Sequence, residues 1–211
     1  MFGWFKKQKA EEVQKPVAPE VLGLRLGGAF ELDDLRLKII EPSLTIEGAS
    51  RTQIIKAVGE VKLDNQSRLV RFYTDDEGYV QILQNGTSEA DIVEVKLWYF
   101  YESKPIDTDK QWEELLATGV VQPSQTLEGN QFEKVWENVR PVPMTETTWD
   151  QSGNITKTDQ FVMVYEREAQ DDLFESLVVS AEEIVVNNQL ERCVVTSTGI
   201  NLTPTDFALI S

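Results

Sequence analysis

Histidine is absent from the 211-residue sequence, and cysteine occurs once, as Cys193. Without imidazole there is no Ser-His-Asp or Cys-His nucleophile and no histidine-ligated zinc or iron site. One thiol excludes an internal disulfide framework, a thiolate cluster and CxxC redox chemistry. Carboxylate-based, lysine-based and tyrosine-based chemistry stay open, but no motif in the sequence identifies any of them. We therefore predict a protein that is not an enzyme, with no catalytic residues, no metal site and no cofactor.

Long apolar runs are also missing. No segment approaches the roughly 20 apolar residues that a membrane-spanning helix needs. The apolar part of the N-terminus is shorter than the roughly 7–15 residues of a signal-peptide core, and no small-residue cleavage site follows it. These absences predict a cytoplasmic protein.

Basic residues are scarce. Twenty lysines and arginines face 36 aspartates and glutamates, which gives a net charge of −16. Residues 1–10 carry +3, so residues 11–211 carry −19. A body of this charge repels phosphate backbones, so we expect no nucleic acid partner; a basic protein partner, or simple solubility, fits the charge better.

The pattern of apolar residues along the chain favours β-structure. Short runs of alternating, β-branched and aromatic residues recur between turn signals from residue 21 onward. They include LRLKIIE at residues 35–41, SRLVRFYT at 67–74 and DIVEVKLWYFYES at 91–103. We predict a mainly β protein, α+β at the margin, with antiparallel sheets packed as a sandwich or an open barrel.

One or two short helices accompany these strands. Thr108 is a capping residue in front of KQWEELLATG, where Trp112, Leu115 and Leu116 form one apolar face and Gly119 is a stop signal. A second, shorter helical turn is predicted to start at SAEEI, residues 180–184.

The domain organisation follows from composition. Residues 1–20 read as an aromatic and basic N-terminal tip followed by a flexible linker that contains Pro16 and Pro19. Residues 21–211 form a single mainly β domain. An alternative divides this domain into two similar halves, at about 21–105 and 120–211. The segments at 68–83 and 159–179 support it, because each runs strand, acidic turn, strand.

Two sets of residues are candidate binding sites. If residues 1–10 form a helix, Phe2, Trp4 and Phe5 lie on one side and are flanked by Lys6 and Lys7, which is typical of an interfacial anchor. This pattern predicts contact with a membrane or a partner, and the alternative is a tip that folds back onto its own domain.

The second candidate is an aromatic groove formed by Trp98, Phe100 and Trp112. Trp98 and Phe100 share one half-polar face of a strand. Ordinary core packing is the alternative interpretation of all three side chains.

Several segments together resemble the YjfK-like family of bacterial proteins of unknown function. They are MFGWFKK, LGGAFELDDL, RFYTDDEGYVQI, FVMVYERE and TGINLTPTDFALIS, in this order along nearly the whole chain. The resemblance implies no activity and no catalytic residues. It implies that the genes of this family lie beside those for a phage-shock-protein-A-like coat protein, a small ion-channel-like membrane protein and a glutathionylspermidine-synthase-like ligase. A phage-shock-protein-A-like or membrane partner is therefore implied by analogy.

The leading hypothesis is a non-enzymatic accessory protein that docks through its N-terminus on the cytoplasmic face of the inner membrane, or on a partner there. The alternative is a β domain that binds a small ligand in the aromatic groove.

Overall fold

The structure, a computed structural model, describes residues 17–210. This part of the chain forms twelve β-strands and two short α-helices. The helices are α1 (Asp34–Ile40) and α2 (Asp109–Glu114), and α2 continues into a single π-helical turn, Leu115–Gly119. The strands are β1 (Ala29–Leu32), β2 (Thr52–Lys62), β3 (Ser67–Thr74), β4 (Gly78–Asn85), β5 (Ile92–Pro105), β6 (Ser124–Leu127), β7 (Asn130–Lys134), β8 (Val142–Asp150), β9 (Ile155–Gln170), β10 (Leu173–Val186), β11 (Gln189–Asn201) and β12 (Phe207–Ile210).

Eight of the strands form a closed antiparallel ring. The strands β2, β3, β4 and β5 pair in chain order, and so do β8, β9, β10 and β11. The ring closes because β5 pairs with β11 and β2 pairs with β8. The prediction of a mainly antiparallel β protein with one or two short helices is confirmed, and the barrel has no open seam between its eight strands.

Each half of the chain contributes one four-stranded meander to this barrel. The two sequence segments that resemble each other, at 68–83 and 159–179, lie in the second and third strands of their meanders, β3–β4 and β9–β10. The short strands lie outside the ring: β1 and β12 extend from the start of β2, while β7 and β6 extend from β9. The division into two similar halves stays a prediction.

Two apolar clusters cover the outside of the barrel. The first lies between α1, the segment that follows it and the outward side chains of the first meander. Its largest fully buried members are Phe30, Phe72, Leu24, Ile55, Ile82 and Leu97.

The second cluster lies between the α2 region and β9 and β10. Trp112 of α2 packs there with Phe132, Met163, Tyr165 and Leu177. Thr108 caps α2 through its hydroxyl, which accepts a hydrogen bond from the Gln111 amide at 3.2 Å, as the sequence predicts.

Two local predictions were wrong. Residues 35–41 alternate like a strand, but residues 34–40 form α1, whose N-cap Asp33 accepts a hydrogen bond from the Arg36 amide at 2.6 Å. Leu37 and Ile40, three positions apart, are the buried pair, which is the helical period. Residues 180–184 lie inside β10 rather than in a helical turn, because pairing with β9 and β11 on both sides overrides their local preference.

Within residues 17–210, no helix is both long and apolar enough to cross a membrane.

Candidate functional site

The interior of the barrel is unusually polar. Side chains alternate along a β-strand, so closing the sheet directs every second residue of the eight strands inward. The outward set is mostly apolar and packs in the two covering clusters, with the buried Arg167–Glu175 pair as an exception, whereas the inward set carries several charges. Its charged and amide members include Arg71, Lys96, Glu146, Gln160, Glu166 and Glu182.

A buried ion pair lies at the centre of this interior. Arg71 Nη1 lies 3.0 Å from Glu146 Oε2, and the two side chains are 8% and 3% exposed. The same nitrogen donates to Gln160 Oε1 at 2.8 Å, and Arg71 Nε donates to Gln81 Oε1 at 2.9 Å. Gln160 Nε2 in turn donates to Glu146 Oε2 at 3.1 Å. These bonds compensate the desolvation that two buried charges would otherwise suffer.

Two further residues accommodate the buried carboxylate of Glu146, one by a hydrogen bond and one by leaving space for it. The Tyr73 hydroxyl donates to it, at 2.8 Å from Oε1. Gly59 on β2 leaves the space that the carboxylate occupies, because a Cβ at position 59 would overlap Glu146 Oε1. This glycine is therefore required for close approach rather than for backbone freedom.

The protonation states of the central groups follow from burial and from this network. Burial is the largest single influence on Arg71 and lowers its pKa, but Glu146, Tyr73 and Tyr79 together outweigh it, so the pKa of Arg71 lies above its usual value. Burial raises the pKa of Tyr79 to about 12, and burial together with Glu146 raises the pKa of Tyr73 well above its usual value. Both tyrosines are therefore neutral donors throughout the physiological range.

Aromatic rings form a continuous column inside the barrel. Trp98 and Tyr79 stack with ring centroids 6.3 Å apart, and Tyr79 contacts Tyr73 at 5.1 Å and Phe100 at 5.5 Å. The column runs from the middle of the barrel to one mouth, where Phe100 is 42% exposed.

Two cavities flank the central layer, and both are lined by Arg71, Tyr79, Val162 and Val178. The acidic cavity is the one toward Phe100. It has a volume of about 340 Å³ and is lined by Glu146 and Glu182, the rings of Tyr73, Tyr79 and Phe100, and several hydroxyls. The tryptophan cavity lies on the other side of the layer. It has a volume of about 650 Å³ and is lined by Trp98, Trp136, Met144, Leu69 and Leu83 among others.

The tryptophan cavity contains a buried cation. Lys96 is 8% exposed, and its Nζ donates to Ser176 Oγ at 2.8 Å, lies 3.5 Å from Glu94 Oε2 and is 5.7 Å from the centre of the Trp98 ring. The Trp98 indole N–H is buried without a hydrogen-bond partner among residues 17–210. The mainly apolar wall of this cavity thus carries two donors, Lys96 Nζ and the Trp98 indole N–H, beside the carboxylates of Glu94 and Glu166.

The structure separates the three residues of the predicted aromatic groove. Trp98 and Phe100 lie inside the barrel and are connected through Tyr79. Trp112 lies outside it, edge-to-face against Phe161 at 5.8 Å and with the Arg192 guanidinium 4.9 Å from its ring centre. The predicted membrane- or partner-binding residues lie outside the described residues. They are Phe2, Trp4, Phe5, Lys6 and Lys7.

Sequence reasoning missed the polar half of the interior. Arg71 lies 75 positions from Glu146 and 89 from Gln160, so their contact depends on the pairing of distant strands. The available signal was the position of Arg71 between Val70 and Phe72, where a charged residue interrupts an otherwise apolar and aromatic strand.

The acidic turn between β3 and β4 has a structural role. Asp76 accepts hydrogen bonds from the amide and the hydroxyl of Ser50, at 2.7 and 2.8 Å, and Asp75 accepts one from the Ile54 amide at 2.8 Å. These bonds hold the turn against the segment that leads into β2. No cluster of three or more metal-binding side chains occurs in the described range.

Comparison with known proteins places the chain in a family without assigning an activity. The family described as "Protein of unknown function (DUF2491)" matches residues 1–208. The uncharacterized protein YjfK of Escherichia coli (strain K12) is 28% identical over 193 residues, which cover 87% of each chain. No solved structure matches. The resemblance to YjfK-like proteins that the sequence indicates is confirmed.

Proposed function

Since the chain belongs to the DUF2491 family of proteins of unknown function, we propose its role from the barrel itself: a non-enzymatic protein that binds a small molecule in the tryptophan cavity. The observation that carries this proposal is a cavity of about 650 Å³ in the barrel, lined mainly by two tryptophans and aliphatic side chains, with Arg71, Lys96, Glu94 and Glu166 as its charged members. Small-molecule sites have volumes of roughly 300–1,000 Å³, mostly apolar walls and a few convergent polar groups. The proposal retains Trp98 from the predicted groove.

The polar groups in this cavity indicate the chemistry of the ligand. Lys96 Nζ has three donors, of which Ser176 Oγ accepts one at 2.8 Å and Glu94 Oε2 lies 3.5 Å away, and the Trp98 indole N–H has no partner in the described range. A ligand with an acceptor head group, such as a carboxylate or sulfonate, satisfies these donors. Its apolar or aromatic body then contacts the Trp136, Met144 and Leu83 side of the cavity.

Anilinonaphthalene sulfonate is a suitable probe, because it combines an aromatic body with an anionic acceptor and fluoresces in apolar surroundings. The acidic surface of the protein repels it, so surface binding is suppressed. We expect saturable binding by the wild type and weakening by about tenfold or more in Lys96→Met, equivalent to about 1.4 kcal/mol.

Lys104→Met is the matched control. It removes the same side chain from the same strand, but Lys104 is 63% exposed and pairs with Glu102 outside the cavity. Equal binding by wild type and Lys104→Met is expected. Absence of saturable binding, or equal weakening in the two variants while both melt cooperatively, would contradict the proposal.

A second proposal rests on the sequence of residues 1–10. In this proposal the aromatic and basic tip docks on the cytoplasmic face of the inner membrane or on a protein there. By family analogy that partner is a phage-shock-protein-A-like or membrane protein. The +3 charge favours an anionic surface by about 1 kcal/mol per lysine.

Co-sedimentation with anionic liposomes tests membrane docking. The full chain should bind more strongly than a variant that starts at Pro16, and binding should decrease as salt screens the lysines. Equal co-sedimentation of the two chains would reject the membrane form of this proposal. Anilinonaphthalene sulfonate binding should be measured in the same two chains. If both chains bind it equally, only the membrane proposal fails and the cavity proposal stands.

A further inference from the structure

The acidic cavity, on the other side of the central layer, is a second site with the opposite charge preference. Two glutamates, Glu146 and Glu182, line it together with a single cation, Arg71. Arg71 pairs directly with Glu146. Glu182 accepts one hydrogen bond, from Gln160 Nε2 at 3.2 Å, and forms no ion pair within residues 17–210. The cavity therefore contains one carboxylate that makes no direct ion pair among the described residues, although Arg71 attracts it at longer range.

A buried hydroxyl without a hydrogen-bond partner also faces this carboxylate. Ser180 lies two positions before Glu182 on the same face of β10 and is 6% exposed. Its Oγ lies close enough to Glu182 to lower the pKa of that carboxylate against the larger effect of burial, but it makes no bond of full hydrogen-bond geometry in the described part of the chain. A buried polar atom left unpaired is costly, and a bound group that donates a hydrogen bond to it removes that cost.

The walls of the cavity suit a cation. Tyr73, Tyr79 and Phe100 contribute ring surfaces, and the faces of aromatic rings attract ammonium groups. Thr148, Thr156 and Thr158 add hydroxyl groups around the same space. A compact primary ammonium ion combines three donors for these oxygens with a positive charge for the carboxylates and the ring faces, which a neutral ligand lacks.

We propose that the acidic cavity binds the primary ammonium group of a small organic amine, with Glu182 as its counter-ion, Ser180 as a hydrogen-bond acceptor and the aromatic column as its wall. The volume of about 340 Å³ limits the ligand to a small amine. This site is separate from the tryptophan cavity, so neither proposal depends on the other.

Putrescine and butanediol are matched probes, since both have a four-carbon chain and only putrescine carries ammonium groups. We expect saturable calorimetric binding of putrescine by the full-length wild type and no saturable binding of butanediol. Measurements at physiological ionic strength, where the Debye length is about 8 Å, limit diffuse attraction by the acidic surface.

Comparing Glu182→Gln with Glu183→Gln distinguishes binding in the acidic cavity from diffuse electrostatic attraction to the acidic surface. The two residues are adjacent, and each substitution removes one negative charge. Glu182 lines the cavity, whereas Glu183 pairs with Arg192 Nε at 3.1 Å. We expect about a tenfold or greater loss of putrescine affinity in Glu182→Gln and an unchanged affinity in Glu183→Gln.

Phe100→Leu adds a variant at the mouth, where 42% exposure makes the substitution tolerable. Losing one ring face should weaken putrescine binding several-fold while the protein still melts cooperatively. No binding by the wild type, equal binding of butanediol, or equal losses in Glu182→Gln and Glu183→Gln would overturn the proposal.

Discussion

The two sides of the barrel wall are built on different principles. Outside, Phe72, Leu97 and Leu177 are fully buried beneath α1, α2 and the short strands, in closely packed apolar clusters. Inside, the same strands direct Arg71, Glu146 and other polar side chains toward two cavities. The outer layers therefore bury most of the apolar surface, and the interior leaves space for a ligand beside its polar network. In most small barrels the interior itself is filled by side chains.

Breaking the ion pair at the centre of the barrel should reduce the free energy of unfolding more than any other interior substitution. Arg71→Met leaves the Glu146 carboxylate buried without a cation, and we expect a loss of about 3–5 kcal/mol in the free energy of unfolding. The double variant Arg71→Met/Glu146→Leu removes both charges and should lose less than the single variant. Urea denaturation of both variants measures this, and a double variant less stable than Arg71→Met would contradict the account.

Gly59→Ala tests how closely the network is packed. The added methyl group displaces Glu146, which hydrogen bonds from Arg71, Tyr73 and Gln160 hold in place. We expect a loss of up to about 3 kcal/mol, at the upper end for overpacking. A melting temperature equal to that of the wild type would show that the carboxylate moves freely and that the network is not rigid.

Substitutions at two adjacent valines of β10 compare the outside and the inside of the barrel wall directly. Val179→Ala creates a void in the outer apolar cluster, and we expect a loss of about 2 kcal/mol. Val178→Ala enlarges a space that already exists, because Val178 lines both cavities, and should cost about 1 kcal/mol. Chemical denaturation of the pair provides the test, and a larger loss for Val178→Ala would reverse the comparison.

Glu182→Gln should change the stability of the fold least among these variants, and the change should be an increase. Burial raises the pKa of Glu182, so its ionised form is disfavoured in the folded state. Its contribution to stability is present below its unfolded-state pKa and is lost as pH rises through the folded-state pKa. We therefore expect Glu182→Gln to melt at a higher temperature than the wild type at pH 8. The gain should be under about 1 kcal/mol and should shrink toward pH 4. A stability difference between Glu182→Gln and the wild type that is the same at pH 8 and at pH 4 would contradict this explanation.

The local features of this fold were predictable from the sequence, and the interior was not. Antiparallel β-structure and the Thr108-capped helix α2 follow from local patterns. Helix α1 was missed because Leu35, Leu37 and Ile39 alternate like a strand, although Leu35 and Ile39 are exposed.

The binding interior depends on the direction in which the sheet closes. A half-polar strand face, such as the one with Lys96 and Trp98, looks the same in sequence whether it faces solvent or a barrel interior. The pairing of β2 with β8, which are far apart in the chain, decides between the two. This is also why Trp112 was grouped with Trp98 and Phe100, although the wall separates them.

Nuclear magnetic resonance of the tryptophan indole N–H groups tests the central claim most directly, because tryptophans lie on both sides of the wall. Trp98 and Trp136 line the tryptophan cavity, and Trp112 packs in the outer cluster. During titration with anilinonaphthalene sulfonate, we expect saturable shifts of the Trp98 and Trp136 signals while the Trp112 signal stays in place. Shifts of Trp112 without shifts of Trp98 and Trp136, or no saturable shift at all, would contradict a ligand-binding interior.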